Sequence, residues 1–315
     1  MITKDEIASA YDRIRPHVHR TPLLPSARLG AAAGGITLSL KCESFQRTGS
    51  FKARGALNAM LQLTPAERKQ GVVTVSAGNH AQALAWAANR VGAQCITVMP
   101  EGASRTKVEA TRGYGGTVEL VPGERSASFD RAQQIAAEGR VMVHPFEDAR
   151  VAAGQGTVAL ELLEQTTDVD VVVVPIGGGG LIAGIAVAIK SIRPNVRVIG
   201  VEPEGAATMR VSMQAGSPQT ISPKTVADGL AAPMVGAMTL EAVRRHVDDV
   251  VLVTDDEILS AMKDLMQYAK LVVEPAGAAS VGALVSRKIA AGKGANVVAI
   301  ISGGNVDLEK LKQLL

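Results

Sequence analysis

The sequence predicts an α/β protein built from two open, twisted, mostly parallel sheets. Three observations support this fold class. The chain has 315 residues, 47% of them hydrophobic, which is enough for two α/β domains or one large one. Only 3% are aromatic, so Ala, Val, Leu and Ile must build a core of the kind found around buried parallel strands. Apolar β-branched runs also alternate with helical patterns along most of the chain.

The first half of the chain contains the first alternating series. An amphipathic helix is expected over 3–15, where Pro16 ends it, and a strand over 36–40. Ser50 is the expected N-cap of a helix over 51–63. Further strands are predicted at 72–76, 95–99, 118–121 and 141–144, and helices at 80–91, 104–112 and 126–137. Short connections between such elements indicate right-handed crossovers in a parallel sheet.

A second series occupies the rest of the chain. The nearly unbroken β-branched run at 169–176 is typical of a strand that is buried on both faces. Segment 214–234 is rich in Ser, Pro, Gly and Thr and is predicted to be a long loop. Other strands are predicted at 196–201, 250–253 and 297–301, and helices at 151–165, 181–192, 256–268, 276–289 and from 309 onward.

Composition and charge exclude several classes of protein. The net charge is +3 and the pI is about 8.9, but basic and acidic residues are interspersed and few aromatic side chains could stack on bases, so no nucleic-acid partner is expected. Apolar segments are short, and the N-terminus lacks a leader-like apolar region, so no membrane partner is expected. Cys42 and Cys95 are predicted to be buried free thiols, and the expected compartment is the cytoplasm.

A lysine stands in the first turn of the helix predicted from Phe51. The helix macrodipole disfavours a cation there, so Lys52 is unusual unless its amine is neutral and nucleophilic or an anion lies nearby. An ordinary surface lysine remains the alternative from these residues alone.

Three further loops follow predicted strands, where ligands collect in open α/β sheets. Segment 76–82 offers backbone N–H groups and the amide of Asn79, although Asn79 as a cap and His80 as a structural residue are equally compatible. The loop 177–180 consists of four glycines and lets the backbone approach a phosphate closely. Ser302 follows the last strand and could bind a ligand, or belong to an ordinary turn.

The glycine loop also admits a different class of enzyme. Gly178, Gly180 and Ala183 satisfy the pattern G-x-G-x-x-A, and Glu202 lies about one strand–helix–strand unit later. This is the fingerprint of dinucleotide binding. A nicotinamide-dependent oxidoreductase is therefore an alternative, although it leaves Lys52, Asn79 and Ser302 without a role.

Taken in order, four motifs resemble the threonine dehydratase and serine racemase branch of the fold-type II pyridoxal-phosphate enzymes, whose fold is like that of tryptophan synthase β. They are Ser-Phe-Lys-Ala-Arg-Gly (50–55), Ser-Ala-Gly-Asn-His-Ala-Gln (76–82), Gly-Gly-Gly-Gly-Leu (177–181) and Ser-Gly-Gly-Asn (302–305). The resemblance covers nearly the whole chain and includes segments 21–23, 153–157, 227–229 and 274–275.

The resemblance implies a role for each motif. Lys52 matches the lysine that forms the Schiff base with pyridoxal 5'-phosphate, and Phe51 would lie against this cofactor. Asn79 matches the residue that bonds the ring hydroxyl, and Ser302 matches the partner of the pyridine nitrogen. The cofactor phosphate would be held by Gly177, Gly178, Gly179 and Gly180. The substrate would be bound by Ser76, Ala77, Gly78, Asn79 and His80.

The activity implied is the dehydration and deamination of a small L-hydroxy amino acid, such as threonine or serine, to a 2-keto acid and ammonia. A neutral partner such as Ser302 suits β-elimination. A racemase is the alternative, but serine racemases carry a serine directly before Gly-Asn-His, where this chain has Ala77, which cannot transfer a proton. A 3-hydroxyaspartate dehydratase, with Arg54 or Arg125 as the extra cation, and a catalytically silent ligand-binding protein also remain open.

Some relatives bind a divalent cation, whose ligands would correspond to Glu202, the Ala206 carbonyl and position 208. An acidic residue is expected at the last position, but the chain has Thr208. Hard cations need oxygen ligands and negative charge. We therefore predict a monovalent cation or a weak Mg²⁺ site at Glu202 and Ala206, with a plain strand-end carboxylate as the alternative.

The predicted organisation is a smaller domain over 49–145 and a larger one that combines 1–48 with 146–315. The cofactor would lie between them, with Lys52 near the hinge. The resemblance implies a homodimer, and the absence of a regulatory domain after Leu315 makes amino-acid feedback through such a domain unexpected.

Overall fold

The structure is a computed structural model that describes residues 2–123 and 125–314. The strands are β1 (Leu23–Pro25), β2 (Thr37–Cys42), β3 (Val72–Val75), β4 (Cys95–Pro100), β5 (Thr117–Val121), β6 (Val141–Met142), β7 (Val171–Pro175), β8 (Arg197–Pro203), β9 (Asp249–Val253) and β10 (Asn296–Ile301). The helices of the first half are α1 (Lys4–Ile14), α2 (Ala27–Ala32), α3 (Lys52–Leu61), α4 (Pro65–Gln70), α5 (Asn79–Arg90), α6 (Arg105–Gly113) and α7 (Arg125–Ala137). Those of the second half are α8 (Ala149–Gln165), α9 (Gly180–Ile192), α10 (Thr208–Ala215), α11 (Ala237–His246), α12 (Asp255–Asp264), α13 (Pro275–Val285) and α14 (Leu308–Leu314).

The strands of the described residues form two sheets. One has six strands in the order β1-β2-β10-β7-β8-β9, and all its neighbouring pairs are parallel except β1 with β2. The other has four parallel strands in the order β5-β4-β3-β6. This confirms the predicted α/β fold class with two mostly parallel sheets.

The strand β7 shows why the six-stranded sheet is buried. Val172 and Val174 face one apolar cluster, which includes α8 and α9, while Val171 and Val173 face another, which includes α13. Every residue of β7 is buried. A strand covered on both faces has no polar side to present, which explains the unbroken β-branched run.

Most predicted elements are present with shifts of one or two residues, but two predictions need correction. Ser50 does not cap α3, because its backbone is extended and pairs with Gly303, and Phe51 occupies the N-cap position. Segment 214–234 is not entirely a loop, since α10 ends only at Ala215, where Gly216 takes a positive φ of 73°. A left-handed residue is a common helix terminator, and glycine adopts that conformation without strain.

Several short elements were not predicted, namely β1, α2, α4, α10 and α11. The helix α4 did carry a readable signal. Thr64 and Glu67 form a capping box around Pro65 at the first helical position.

Cys42 and Cys95 are buried free thiols, as predicted. Among the described residues, none of the helices combines the length and the apolar character that a membrane crossing requires.

Candidate active site

Three of the four predicted loops touch one another directly. The Phe51 amide donates to the Ser302 carbonyl at 3.1 Å, and Ser50 pairs with Gly303. The Asn305 side-chain amide donates to the side-chain oxygen (Oδ1) of Asn79 at 2.8 Å. β2 and β10 are parallel neighbours in the six-stranded sheet and deliver two of these loops at the same edge, whereas the loop after β3 comes from the four-stranded sheet.

The glycine loop joins this site through the segment after β6. The Phe146 ring packs so closely on Gly178 that a Cβ there would overlap it. The preceding carbonyl, of Pro145, accepts a hydrogen bond from the Lys52 amine at 2.8 Å. The sequence-predicted site residues Lys52 and Gly178 are therefore connected through Pro145 and Phe146.

Lys52 is a partly buried amine at the start of α3. Its removal from water lowers the pKa of the amine to about 8, and its Nζ lies 5.1 Å from the centre of the Phe51 ring. A positive helix end further disfavours the charged form. At pH 8 about half of such amines are uncharged, compared with less than about 1% for a lysine with its ordinary pKa. Lys52 is thus prepared to act as a nucleophile or a base.

The glycine loop opens α9. Gly179 adopts a φ of +91°, and a side chain there would also collide with Met209 and Thr239. The Thr239 hydroxyl donates to the Gly178 carbonyl at 3.0 Å and fixes the turn. The first backbone N–H groups of a helix have no partner in the helix itself and bind anions. The loop can therefore hold a phosphate at the N-terminus of α9.

Ser302 lies beside Ser50 and Phe51, and these residues with Thr48 form what we call the polar wall of the site. The Ser302 side chain is 3% exposed, and its hydroxyl lies 3.4 Å from the Ala276 carbonyl, a long hydrogen bond. The hydroxyls of Thr48 and Ser50 are also buried in this region without a hydrogen-bond partner among the described residues. Unpaired buried polar groups are costly, so a ligand that formed hydrogen bonds with these hydroxyls would be stabilised here.

Residues 76–80, which the sequence predicts to bind the substrate, make few hydrogen bonds within the protein. The Ser76 hydroxyl accepts from the Gly78 amide at 3.2 Å, and Ala77 packs beside an apolar cluster around Ala81. A Cβ at Gly78 would meet open space, so the chain is not crowded there. His80 is buried, its Nε2 lies 3.3 Å from the Val143 carbonyl, and its Nδ1 has no partner among the described residues.

Both histidines near Lys52 are kept neutral. Burial, with the Lys52 charge, lowers the pKa of His80 well below its ordinary value and that of His144 to about 4. The His144 Nδ1 accepts the backbone amide of Glu147 at 2.9 Å and lies 3.3 Å from that of Phe146, which requires an unprotonated nitrogen. Neither ring therefore adds a positive charge beside the lysine.

Arg54, considered above as a cation for an acidic substrate, has a different role. It is fully buried, its guanidinium donates to Glu43 at 2.7 and 2.8 Å, and it contacts Glu161 at 3.1 Å. Lys41 contacts the same Glu161 at 2.5 Å. The Arg54 guanidinium is paired with these two carboxylates and is not available to a substrate. The side chain of Arg125 lies outside the described part of the structure.

The predicted cation ligands are placed at the end of β8. Glu202 is fully buried, and its two carboxylate oxygens accept the backbone amides of Met209 at 2.7 Å and Arg210 at 2.9 Å. The Thr208 hydroxyl donates to the Ala232 carbonyl at 2.7 Å, and Ala206 is buried. Burial raises the pKa of Glu202 to about 7. Glu202 thus binds the start of α10, and a cation at Glu202 and Ala206 stays a prediction.

Sequence reasoning missed two polar residues of the site. Glu274 was noted only as part of a motif, yet its Oε1 accepts from the Asn79 amide nitrogen at 2.6 Å. Asn305, at the end of the motif that begins with Ser302, bonds the other end of the same amide. Their separation from Asn79 by 195 and 226 residues explains why no local pattern reveals the contact.

The site combines a desolvated lysine amine, a glycine turn at a helix N-terminus and buried hydroxyls without a partner among the described residues. These are the parts required by an enzyme that attaches a phosphorylated carbonyl cofactor to a lysine. The chain belongs to the pyridoxal-phosphate dependent enzyme family, whose profile matches residues 14–303.

Curated relatives extend this similarity over the full length. The chain is 44% identical over 317 residues to the L-threonine ammonia-lyase of Thermotoga maritima, covering 100% of this chain and 78% of that protein. It is 44% identical to the serine racemase of Arabidopsis thaliana, covering 97% of this chain and 93% of that protein. It is also 44% identical to the catabolic L-threonine dehydratase TdcB of Escherichia coli K12, covering 98% of this chain and 95% of that protein.

Solved structures give the same two kinds of neighbour. Maize serine racemase superimposes with a TM-score of 0.95 at 41% identity, covering 99% of this chain and 96% of that chain. The processed form of threonine deaminase isoform 2 from Solanum lycopersicum superimposes with a TM-score of 0.91 at 37% identity, covering 98% of this chain and 92% of that chain. These findings confirm the resemblance, the fold and the pyridoxal-phosphate cofactor, and they exclude the nicotinamide alternative. Glu202, which that alternative needed for a ribose, is occupied by the backbone of α10.

Proposed function

We propose that this enzyme removes water by β-elimination from a small L-hydroxy amino acid such as threonine or serine, and that Lys52 holds its cofactor. The relatives named for threonine ammonia-lyase and threonine dehydratase support the reaction class. The observation that carries the assignment of Lys52 is the hydrogen bond from its amine to the Pro145 carbonyl, next to Phe146, which packs on the glycine loop. Removal from water, which lowers the pKa of this amine to about 8, supports the assignment. The dehydrated product would then take up water and hydrolyse to a 2-keto acid and ammonia.

The residues present fit pyridoxal 5'-phosphate. The glycine turn at Gly179 and the N-terminus of α9 would hold its phosphate, Lys52 its carbonyl carbon, Asn79 its ring oxygen and Ser302 its ring nitrogen. Phe51 would lie against it. The unpaired hydroxyl of Ser50 marks a polar space that a ligand would complete. When bound, this cofactor withdraws electrons from the substrate α-carbon, which makes the α-proton acidic.

Lys52 would then move the proton. Desolvation keeps a large fraction of a free Lys52 amine uncharged. Such an amine would accept the α-proton of the substrate. The electron pair left at the α-carbon would form the Cα–Cβ double bond as the Cβ–O bond breaks, and the hydroxyl would leave with a proton as water. The backbone of loop 76–80, at the start of α5, would bind the substrate carboxylate.

The test is a paired assay on purified enzyme loaded with pyridoxal 5'-phosphate. Release of keto acid and inversion at the α-carbon are measured from L-threonine, L-serine and L-threo-3-hydroxyaspartate. Keto acid with little α-inverted product is expected, together with loss of keto acid in Lys52→Ala. Substantial D-serine or D-allothreonine without keto acid would contradict the proposal.

Racemisation is the second candidate, because a serine racemase is as similar to the chain as the threonine ammonia-lyase. A second acid–base group is needed on the substrate face opposite Lys52. Ala77 supplies none at the position where serine racemases carry a serine, which favours elimination. Dehydration of 3-hydroxyaspartate is a weaker candidate, since Arg54 is bound to Glu43 and Glu161 and cannot receive a second carboxylate.

We further propose that residues 49–145 form a smaller domain, which carries the four-stranded sheet, and that the remainder forms the larger one. The ion pair between Lys107 of α6 and Asp228 would link the two across the cleft.

We also propose a cytoplasmic homodimer. Phe45, Tyr268 and Val272 are 51%, 41% and 56% exposed, more than is usual for large apolar side chains. Light scattering of the enzyme and of Val272→Glu would test the oligomeric state.

A further inference from the structure

Glu274 is a buried carboxylate that its own helix does not use. It occupies the N-cap position of α13 but makes no side-chain cap hydrogen bond there. The residue is 5% exposed, and burial raises the pKa of its carboxyl to about 7. Its Oε1 accepts instead from the Asn79 Nδ2 at 2.6 Å. The hydrogen bond that offsets the burial of this carboxyl is therefore made to Asn79 and not to α13.

The other end of the Asn79 amide is held as well. The Asn305 Nδ2 donates to the Asn79 Oδ1 at 2.8 Å and to the backbone carbonyl of Thr48 at 2.7 Å. Both protons of that nitrogen are therefore used. The chain of bonds runs from a main-chain carbonyl through two amides to a carboxylate.

The polarity of this chain of bonds is set by the backbone carbonyl of Thr48, which can only accept. It holds the Asn305 nitrogen so that this nitrogen also faces Asn79. Rotating the Asn79 amide by 180° would bring its nitrogen against the Asn305 nitrogen, which is repulsive, and would break the bond to the Glu274 oxygen. The amide is therefore held with its oxygen toward Asn305.

Close backbone packing fixes the position of Glu274 beside Asn79. The Glu274 amide donates to the Gly303 carbonyl at 3.3 Å, and a Cβ at Gly303 would overlap the Glu274 carboxylate and crowd Ser50. Gly277 of α13 packs on the Gly303 backbone in the same way. The start of α13 is thus fixed against the loop that also carries Ser302.

We infer that Glu274 is a positioning residue that, together with Asn305, fixes the Asn79 amide so that its remaining N–H serves as the donor for the cofactor ring oxygen. A site that offers only a donor favours the deprotonated, accepting form of that oxygen. This inference rests on the cofactor contact proposed above for Asn79. It assigns Glu274 no contact of its own with cofactor or substrate.

The test is a double-mutant cycle on cofactor affinity in the full-length protein. Apoprotein carrying Glu274→Met, Asn79→Ala or both is titrated with pyridoxal 5'-phosphate, and binding is followed by visible absorbance and fluorescence. With Asn79 present, Glu274→Met should weaken binding about tenfold and shift the absorbance of the bound cofactor. In the Asn79→Ala background the same substitution should weaken cofactor binding less than about twofold, because Glu274 acts through Asn79.

Ser280→Ala is the matched control, since Ser280 lies on α13 and its buried hydroxyl has no hydrogen-bond partner among the described residues. It should leave cofactor affinity unchanged. Should Glu274→Met not fold, the same cycle is run with Glu274→Gln, which keeps an accepting oxygen and should weaken binding by about threefold, again only with Asn79 present. Equal weakening in both backgrounds, or none with Asn79 present, would overturn the inference. Because no turnover is measured, the result is independent of which reaction the enzyme catalyses.

Discussion

Removal of the Arg54 charge should destabilise the enzyme more than any surface charge change. Arg54 is fully buried between Glu43 and Glu161, with contacts of 2.7 to 3.1 Å. Arg54→Met keeps most of the volume but leaves Glu43 without its cation. Breaking a buried ion pair by removing one partner costs about 3–5 kcal/mol, a large share of the about 5–15 kcal/mol by which proteins are stable.

The measurement is urea unfolding of Arg54→Met at neutral pH, followed by circular dichroism. The matched control is Arg105→Met, which removes an arginine from an exposed pair with Glu109 and should leave the unfolding free energy unchanged within error. A loss of less than about 1 kcal/mol for Arg54→Met, the range of surface pairs, would refute the view that the network is held by charge.

The same network predicts a pH dependence. Burial alone would raise the pKa of Glu161, but Arg54 and Lys41 together lower it below its ordinary value. A carboxyl with a depressed folded-state pKa contributes stability above its unfolded pKa, and this contribution is lost as the pH falls through the folded value. The difference in unfolding free energy between the wild-type enzyme and Arg54→Met should therefore shrink in acid. A difference that grows on acidification would contradict this account.

Three further predictions concern the site. Ala77→Ser should raise the formation of D-amino acid relative to keto acid, measured by chiral chromatography, and no rise would weaken the role given to this position. Uptake of pyridoxal 5'-phosphate by the apoprotein should accelerate as the pH rises through about 8, because the uncharged Lys52 amine is the nucleophile; a midpoint near the ordinary lysine pKa would argue against desolvation. Gly178→Ala should weaken cofactor binding about tenfold or more, since its methyl group would overlap the Phe146 ring, whereas Gly113→Ala, which meets open space, should not.

The strands and the longer helices could be predicted from the sequence because their signals are local. The β-branched run around Val173 requires a buried strand, and the glycines before Leu181 require a turn at a helix start. Short elements such as α2 and β1 were not predicted, because their few residues show little periodicity. The prediction that Ser50 caps α3 was wrong, because Ser50 pairs instead with Gly303, a residue 253 positions away.

By itself, the sequence determined the α/β class, the order of the four loops and the identity of Lys52, Asn79, the glycine turn and Ser302 as candidates, because each belongs to a short contiguous motif. Only the tertiary structure decided what surrounds them. In the folded chain Arg54 pairs with Glu43 and Glu161 and cannot bind a substrate. Glu202 binds the start of α10, and Glu274 binds Asn79. These contacts join segments that are far apart in the chain, and a buried charge or amide takes whichever partner the packed fold provides, because leaving it unpaired costs more than any local preference.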